Sequence, residues 1–109
     1  MGKFEILTDA AGKFRFHLKA SNGQIILSSQ AYTTKDACEN GIESVKKNSQ
    51  NADMFERAES SSGQPYFNLK AANSQVIGTS QMYGSEAAME NGIESVQTNA
   101  PDAPVVEAE

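Results

Sequence analysis

The chain carries its own first half again. Shifted by 51 positions, residues 4–49 align with residues 55–100 without a gap, and 22 of the 46 pairs are identical. Average composition predicts about three, so the halves are duplicates. The longest shared block, Glu39-Asn40-Gly41-Ile42-Glu43-Ser44-Val45, returns letter for letter as Glu90-Asn91-Gly92-Ile93-Glu94-Ser95-Val96. Phe4/Phe55, Gly12/Gly63, Phe16/Phe67, Leu18/Leu69, Ile26/Ile77 and Tyr32/Tyr83 are further matched anchors. A unit of about fifty residues buries too little surface to be comfortably stable alone. A second copy, related by a pseudo-two-fold axis, supplies the missing face as the partner does in a homodimer. The repeat therefore predicts a single domain over residues 1–100, with repeat one at 3–50 and repeat two at 54–100. The expected state is a monomer, an internal pseudo-dimer.

Each unit reads as β-β-β-α. Residues 3–8 form a first short strand, and Asp9-Ala10-Ala11-Gly12 a turn, with Ser60-Ser61-Ser62-Gly63 as its twin. Phe14, Phe16, Leu18 and Ala20 alternate with Arg15, His17 and Lys19 over residues 13–20, the period-2 signature of a half-buried strand. Asn22-Gly23 then predicts a hairpin turn with φ > 0 at both residues, leading into a strand at Gln24–Ser29. Copy two has Asn73-Ser74 there, so its turn is expected to be costlier or differently shaped. Residues 33–48 read as a helix capped by Thr33 or Thr34, with Cys38, Ile42 and Val45 on one face. Ser85 caps the copy-two helix, whose stripe is Met89, Ile93 and Val96. Gly41 and Gly92, inside the helices, imply a close approach to whatever packs on them. The fold class expected is α+β: tandem β-β-β-α repeats forming an antiparallel sheet, with two helices on one face. Residues 101–109 read as an acidic, disordered tail, with Val105-Val106 as the one place for a further short strand.

Composition narrows the function classes. The net charge is −5 and the basic residues are scattered, so the counterion-release term that drives much nucleic-acid affinity is globally unfavourable. No apolar run approaches the roughly 20 residues of a membrane span, and Met1-Gly2-Lys3-Phe4 passes straight into patterned sequence without a secretory stretch. Cys38 is the one cysteine, which matches a reducing, cytoplasmic setting.

The runs Phe14-Arg15-Phe16-His17-Leu18-Lys19-Ala20-Ser21-Asn22-Gly23, Tyr66-Phe67-Asn68-Leu69-Lys70-Ala71-Ala72-Asn73 and Ser80-Gln81-Met82-Tyr83 carry a resemblance, together with the twin Glu-Asn-Gly-Ile-Glu-Ser-Val blocks. They resemble the YegP-like family of small bacterial and archaeal proteins, over essentially residues 3–100. The resemblance implies β-β-β-α units in tandem or as pairing single copies, which form a joint sheet and exchange a terminal element. It implies no activity, ligand or catalytic residue. Two departures make the copies unequal at apolar positions: Gly78 stands opposite Leu27, and Arg57 opposite Ile6.

Candidate chemistry is sparse. His17 is the sole histidine, and no set of ligands converges on it by spacing, so no metal and no cofactor are expected. Cys38 lies on the helix's apolar stripe opposite Met89, as a small hydrophobe would. Glu39/Glu43 and Glu90/Glu94 are i,i+4 pairs on helix faces, where nothing closes a pocket that would raise a pKa for acid catalysis. No catalytic residue is expected, and the chain is read as a non-enzyme. The polar residues kept in both copies are more informative. Lys19/Lys70, Gln24/Gln75, Gln30/Gln81 and Tyr32/Tyr83 are the candidate interaction residues, with Asn22/Asn73 and Asn40/Asn91 beside them. Their structural reading is turn formation, a lock at the helix entry, and hydrogen bonds between units. Their functional reading is a surface that holds a protein or a small ligand. The expected function is thus a small non-enzymatic binding or accessory module. The alternative is RNA or single-strand binding through a basic strand face of Lys3, Lys13, Arg15, His17 and Lys19, with Phe14, Phe16 and Tyr66 to stack bases.

Overall fold

A computed structural model describes residues 2–107. Strands β1 (Lys3–Thr8), β2 (Phe14–Lys19) and β3 (Ile25–Ser28) precede helix α1 (Lys35–Asn48). After a 3-10 turn at Ala52–Met54 the pattern returns as β4 (Phe55–Glu59), β5 (Pro65–Lys70), β6 (Val76–Thr79) and α2 (Glu86–Asn99), and the chain ends in β7 (Val105–Glu107). All seven strands join one sheet in the order β4-β5-β6-β3-β2-β1-β7.

The cap residues begin both helices alike. The hydroxyls of Thr34 and Ser85 accept the N–H groups of Ala37 and Ala88, each at 3.1 Å, satisfying one donor that a first turn leaves unpaired. The apolar stripes then bury Cys38, Ile42 and Val45 from α1, and Met89, Ile93 and Val96 from α2. They meet Phe4, Ile6, Phe16, Leu18 and Leu27 of the first half, with Phe55, Phe67 and Leu69 of the second, in one continuous core. Each helix crosses the seam: α1 packs on β2 and also on β5 and β6, and α2 packs on β5 and also on β3. The halves touch directly where β3 and β6 run antiparallel, with Ser28 opposite Thr79, residues 51 positions apart.

Three expectations need correction. The sheet is mixed, because β7 pairs parallel with β1 while the other pairs are antiparallel. The tail read as disordered carries that strand at Val105–Glu107, the one place the sequence offered for it, and Ala103 just before it is fully covered; Ala108 and Glu109 lie outside the described residues. The Asn22-Gly23 hairpin is present, but φ is positive at Gly23 alone. Ala20 N–H donates to Gln24 C=O and Gly23 N–H to Ala20 C=O, both at 2.9 Å. That is a three-residue loop ending in a left-handed residue, with the register shift of a bulge after Leu18. Copy two makes the same bonds through Ala71, Ser74 and Gln75. Its turn keeps the shape and carries the cost: among the described residues Ser74 is the one non-glycine residue with positive φ, at 69°, where a side chain costs about 1–2 kcal/mol.

Candidate functional site

Strand alternation sends one set of side chains to the helices and the other to the opposite, uncovered face. The cross-strand pairs Glu5–His17, Lys3–Lys19 and Leu7–Arg15 lie on that uncovered face in the first half. His17–Ser28, Ser28–Thr79 and Thr79–Asn68 carry it across the seam, and Glu56–Asn68 and Ala58–Tyr66 continue it into the second half. A polar belt results. The Thr79 hydroxyl donates to Asn68 Oδ1 at 2.8 Å, and Asn68 Nδ2 donates to Glu56 at 3.3 Å. Lys19 pairs with Glu5 at 2.9 Å, and Lys70 pairs with Glu56 at 2.7 Å. These ammonium groups hold the Glu5 and Glu56 carboxyls below their ordinary pKa. Half-burial pushes the His17 imidazole below its usual value, against the opposing pull of Glu5.

The candidate residues do not converge on one place. Lys19 and Lys70 lie on the uncovered face, each beside a glutamate that is itself a matched pair. Gln24 and Gln75 sit at the hairpin tips, where their backbones close the turns and the Oδ1 atoms of Asn22 and Asn73 accept their N–H groups at 3.0 and 3.1 Å. Gln30 crosses to the other half, donating from Nε2 to Val76 C=O at 2.6 Å; Gln81 is exposed. Tyr32 and Tyr83 are on the helix side. Each ring stacks on the core phenylalanine of its own half, Phe16 or Phe67, with centroids 6.3 Å apart. Their hydroxyls press against Gly41 and Gly92, where a Cβ would clash. That contact is the close approach the helix glycines imply. Asn40 and Asn73 both line a groove of about 470 Å³ between α1 and the β5–β6 turn. Cys38 is fully buried, and burial pushes its thiol pKa up, away from nucleophile chemistry. Among the described residues no group of three or more His, Cys, Asp or Glu is placed to hold a metal ion.

Sequence reasoning missed Ser29 and Ser80, identical in both copies and buried. Ser29 Oγ accepts Phe16 N–H at 2.8 Å and donates to Gln30 C=O at 2.7 Å. Ser80 repeats this with Phe67 and Gln81 at 3.0 and 2.8 Å. Each hydroxyl closes a strand end whose backbone groups would otherwise be buried unpaired. The signal was available: a serine kept twice immediately after an apolar strand.

The departures from internal identity also have structural causes. An added Cβ at Gly78 would lie 2.7 Å from Leu27 Cδ2, so at the seam one half's leucine fills the space that the other half's glycine leaves. Ile6 is buried at 4% exposure on a strand flanked on both sides. Arg57 stands on the end strand, is exposed, and reaches α2 to form a two-pronged pair with Glu90.

A family model described as a domain of unknown function, DUF1508, matches residues 9–56 and again residues 60–107. Each match runs from the second strand of a unit through its helix into the following strand. The first thus ends in β4, which pairs with β5, and the second in β7, which pairs with β1. The chain is 58% identical to the UPF0339 protein in ptx operon 5′ region of Stutzerimonas stutzeri, over 97% of this chain and 96% of that protein. It is 49% identical to the UPF0339 protein YegP of Escherichia coli, over 90% and 89% of the two chains. The solution structure of YegP from E. coli, a protein of unknown function, superposes with a TM-score of 0.93 at 46% identity, covering 97% of this chain and 91% of that one. That of a UPF0339 protein from Shewanella oneidensis gives 0.92 at 46% identity, covering 97% and 90%. With two copies of the domain and relatives matched almost end to end, the chain belongs to the DUF1508 family of UPF0339, YegP-like proteins.

Proposed function

We propose that the protein is a small non-enzymatic binding module, in which two β-β-β-α units related by a pseudo-two-fold axis present the uncovered sheet face to a partner. The observation that carries this reading is the continuous polar belt from Glu5 and His17 through Ser28, Thr79 and Asn68 to Glu56, which spans both halves on a face without helices. The pairing of Ser28 with Thr79, its counterpart 51 residues on, supports an axis through the seam. Lys19 and Lys70 then become equivalent corners of one surface, Gln24, Gln30, Gln75, Tyr32 and Tyr83 serve the scaffold, and Gln81 is left exposed. A free, buried Cys38 fits the reducing cytoplasm expected for the chain, and no described helix is long and apolar enough to cross a membrane.

The nucleic-acid reading loses its main supports. Arg15 faces Asp9 at 3.5 Å and Lys19 faces Glu5, which offsets the basic strand. Phe16 is fully buried and Phe14 packs against the core, so of the three rings Tyr66 alone stands on the uncovered face, half-buried.

A pull-down from native lysate, with the captured species identified, tests the proposal through surface variants. Asn68→Ala combined with Lys70→Ala is expected to abolish capture, whereas Thr98→Ala on the opposite side leaves it intact. Capture indifferent to the sheet-face changes contradicts the reading.

A further inference from the structure

β1 and β4 are counterparts 51 positions apart, yet their outer edges differ. β7 lies parallel against β1, with Phe4 N–H donating to Pro104 C=O at 2.8 Å and Glu107 opposite Ile6. The Glu107 carboxylate pairs with Lys35 in the first turn of α1. β4 instead ends the sheet, with β5 on its one paired side. The Phe55 N–H donates to Ala52 C=O in the preceding turn. Beyond it, the edge from the Phe55 carbonyl to Glu59 has no strand beside it among the described residues. Such an edge is a template for one more strand. A groove of about 390 Å³ runs beside it, lined by Arg57, Glu59, Glu86, Met89 and Glu90 among others. Arg57 and Glu86 are the counterparts of Ile6 and Lys35, the residues that flank Glu107 in the first half. The groove therefore lies where a strand placed like β7 would end.

Charge decides the occupant. Glu86 stands where Lys35 holds β7, and Glu59 and Glu90 line the same groove. Arg57 is the one basic side chain there, and it is already engaged by Glu90 at 2.8 Å through one of its two contacts. The β7 of a second copy would bring Glu107 against Glu86, like charge on like, which works against self-addition. We propose that the β4 edge docks an extended segment of another protein, added parallel to β4, with two apolar residues followed by a lysine or arginine seated at Glu86. In the register of β7, the middle residue donates to the Phe55 carbonyl and accepts from Arg57 N–H. This concerns a different surface from the polar belt and stands without it.

Two capped peptides that differ only in charge test it: Ala-Pro-Val-Val-Lys-Ala and Ala-Pro-Val-Val-Glu-Ala, titrated into the full chain and followed by amide NMR shifts. The lysine peptide is expected to shift Arg57, Ala58 and Glu59 and to bind about tenfold more tightly than the glutamate peptide. Glu86→Lys is expected to invert that preference; the variant retains the fold, since Lys35 occupies the same place in α1. A nitroxide at the peptide's N-terminus should broaden Phe55 rather than Glu59. Failure of both peptides to bind, equal affinities, indifference to Glu86→Lys, broadening at Glu59, or self-association of the free chain through this edge overturns the proposal.

Discussion

Gly41 and Gly92 sit inside helices, where glycine costs roughly 1 kcal/mol relative to alanine, and tyrosine hydroxyls fill the space a side chain would need. An ideal Cβ at Gly41 lies 2.5 Å from Tyr32 Oη and 3.1 Å from the Phe16 ring. Overpacking outweighs helix propensity here: Gly41→Ala is expected to destabilise by about 1–3 kcal/mol in urea denaturation. In a Tyr32→Ala background the same change should be neutral or stabilising. His17 makes a second prediction at this scale. Burial holds its folded pKa below the ordinary 6.5, while Glu5 raises it and Lys19 and Arg15 lower it. The unfolded chain binds the proton more readily, so stability present at neutral pH is lost as pH falls through 6.5 toward the folded pKa. Glu5, Asp9, Glu56 and Glu90 are also held low, and they act in the same direction in more acid solution. His17→Asn, the residue its counterpart Asn68 already is, should flatten the melting temperature between about pH 7 and pH 5. An unchanged slope would mean that His17 titrates as it does in the unfolded chain.

Among the elements, the β3–β6 contact is the most specific, because it depends on unlike residues at matched positions. Gly78→Leu alone should cost about 1–3 kcal/mol by crowding Leu27, and Leu27→Gly alone about 2–5 kcal/mol by leaving a cavity. The exchanged double variant should recover most of both losses, measured as a coupling energy in a double-mutant cycle. Additive losses would show that the two positions do not share one space. This pair also marks how far the sequence was legible. The strands and helices were, because alternation over residues 13–20 and the Cys38/Ile42/Val45 stripe express the periods of their elements. The mismatch of Leu27 and Gly78 was visible as a departure, but its meaning required knowing that β3 and β6 meet. β7 was legible as a place, Val105-Val106, but not as a partner of β1, because Pro101-Asp102-Ala103-Pro104 reads as coil and the paired strand lies a hundred residues away. The interaction candidates were found by identity between copies. Identity selects turn-closing Gln24 and core-stacking Tyr32 as readily as a contact surface, so it could not sort them.

At the scale of the whole molecule, the contacts tie each half to the other. α1 and α2 each pack on strands of both halves, Gln30 and Gln50 donate across to Val76 and Gln97 at 2.6 and 3.0 Å, and β7 returns the chain's end to its first strand. Native-state hydrogen exchange in a variant weakened in one half tests this most directly. Leu18→Ala, buried in the first half, should cost about 2–5 kcal/mol. If the halves unfold as one, the slowest-exchanging amides of β2 and of β5 lose protection by the same free energy. Loss confined to the first half, with β5 amides as protected as in the parent chain, would contradict it.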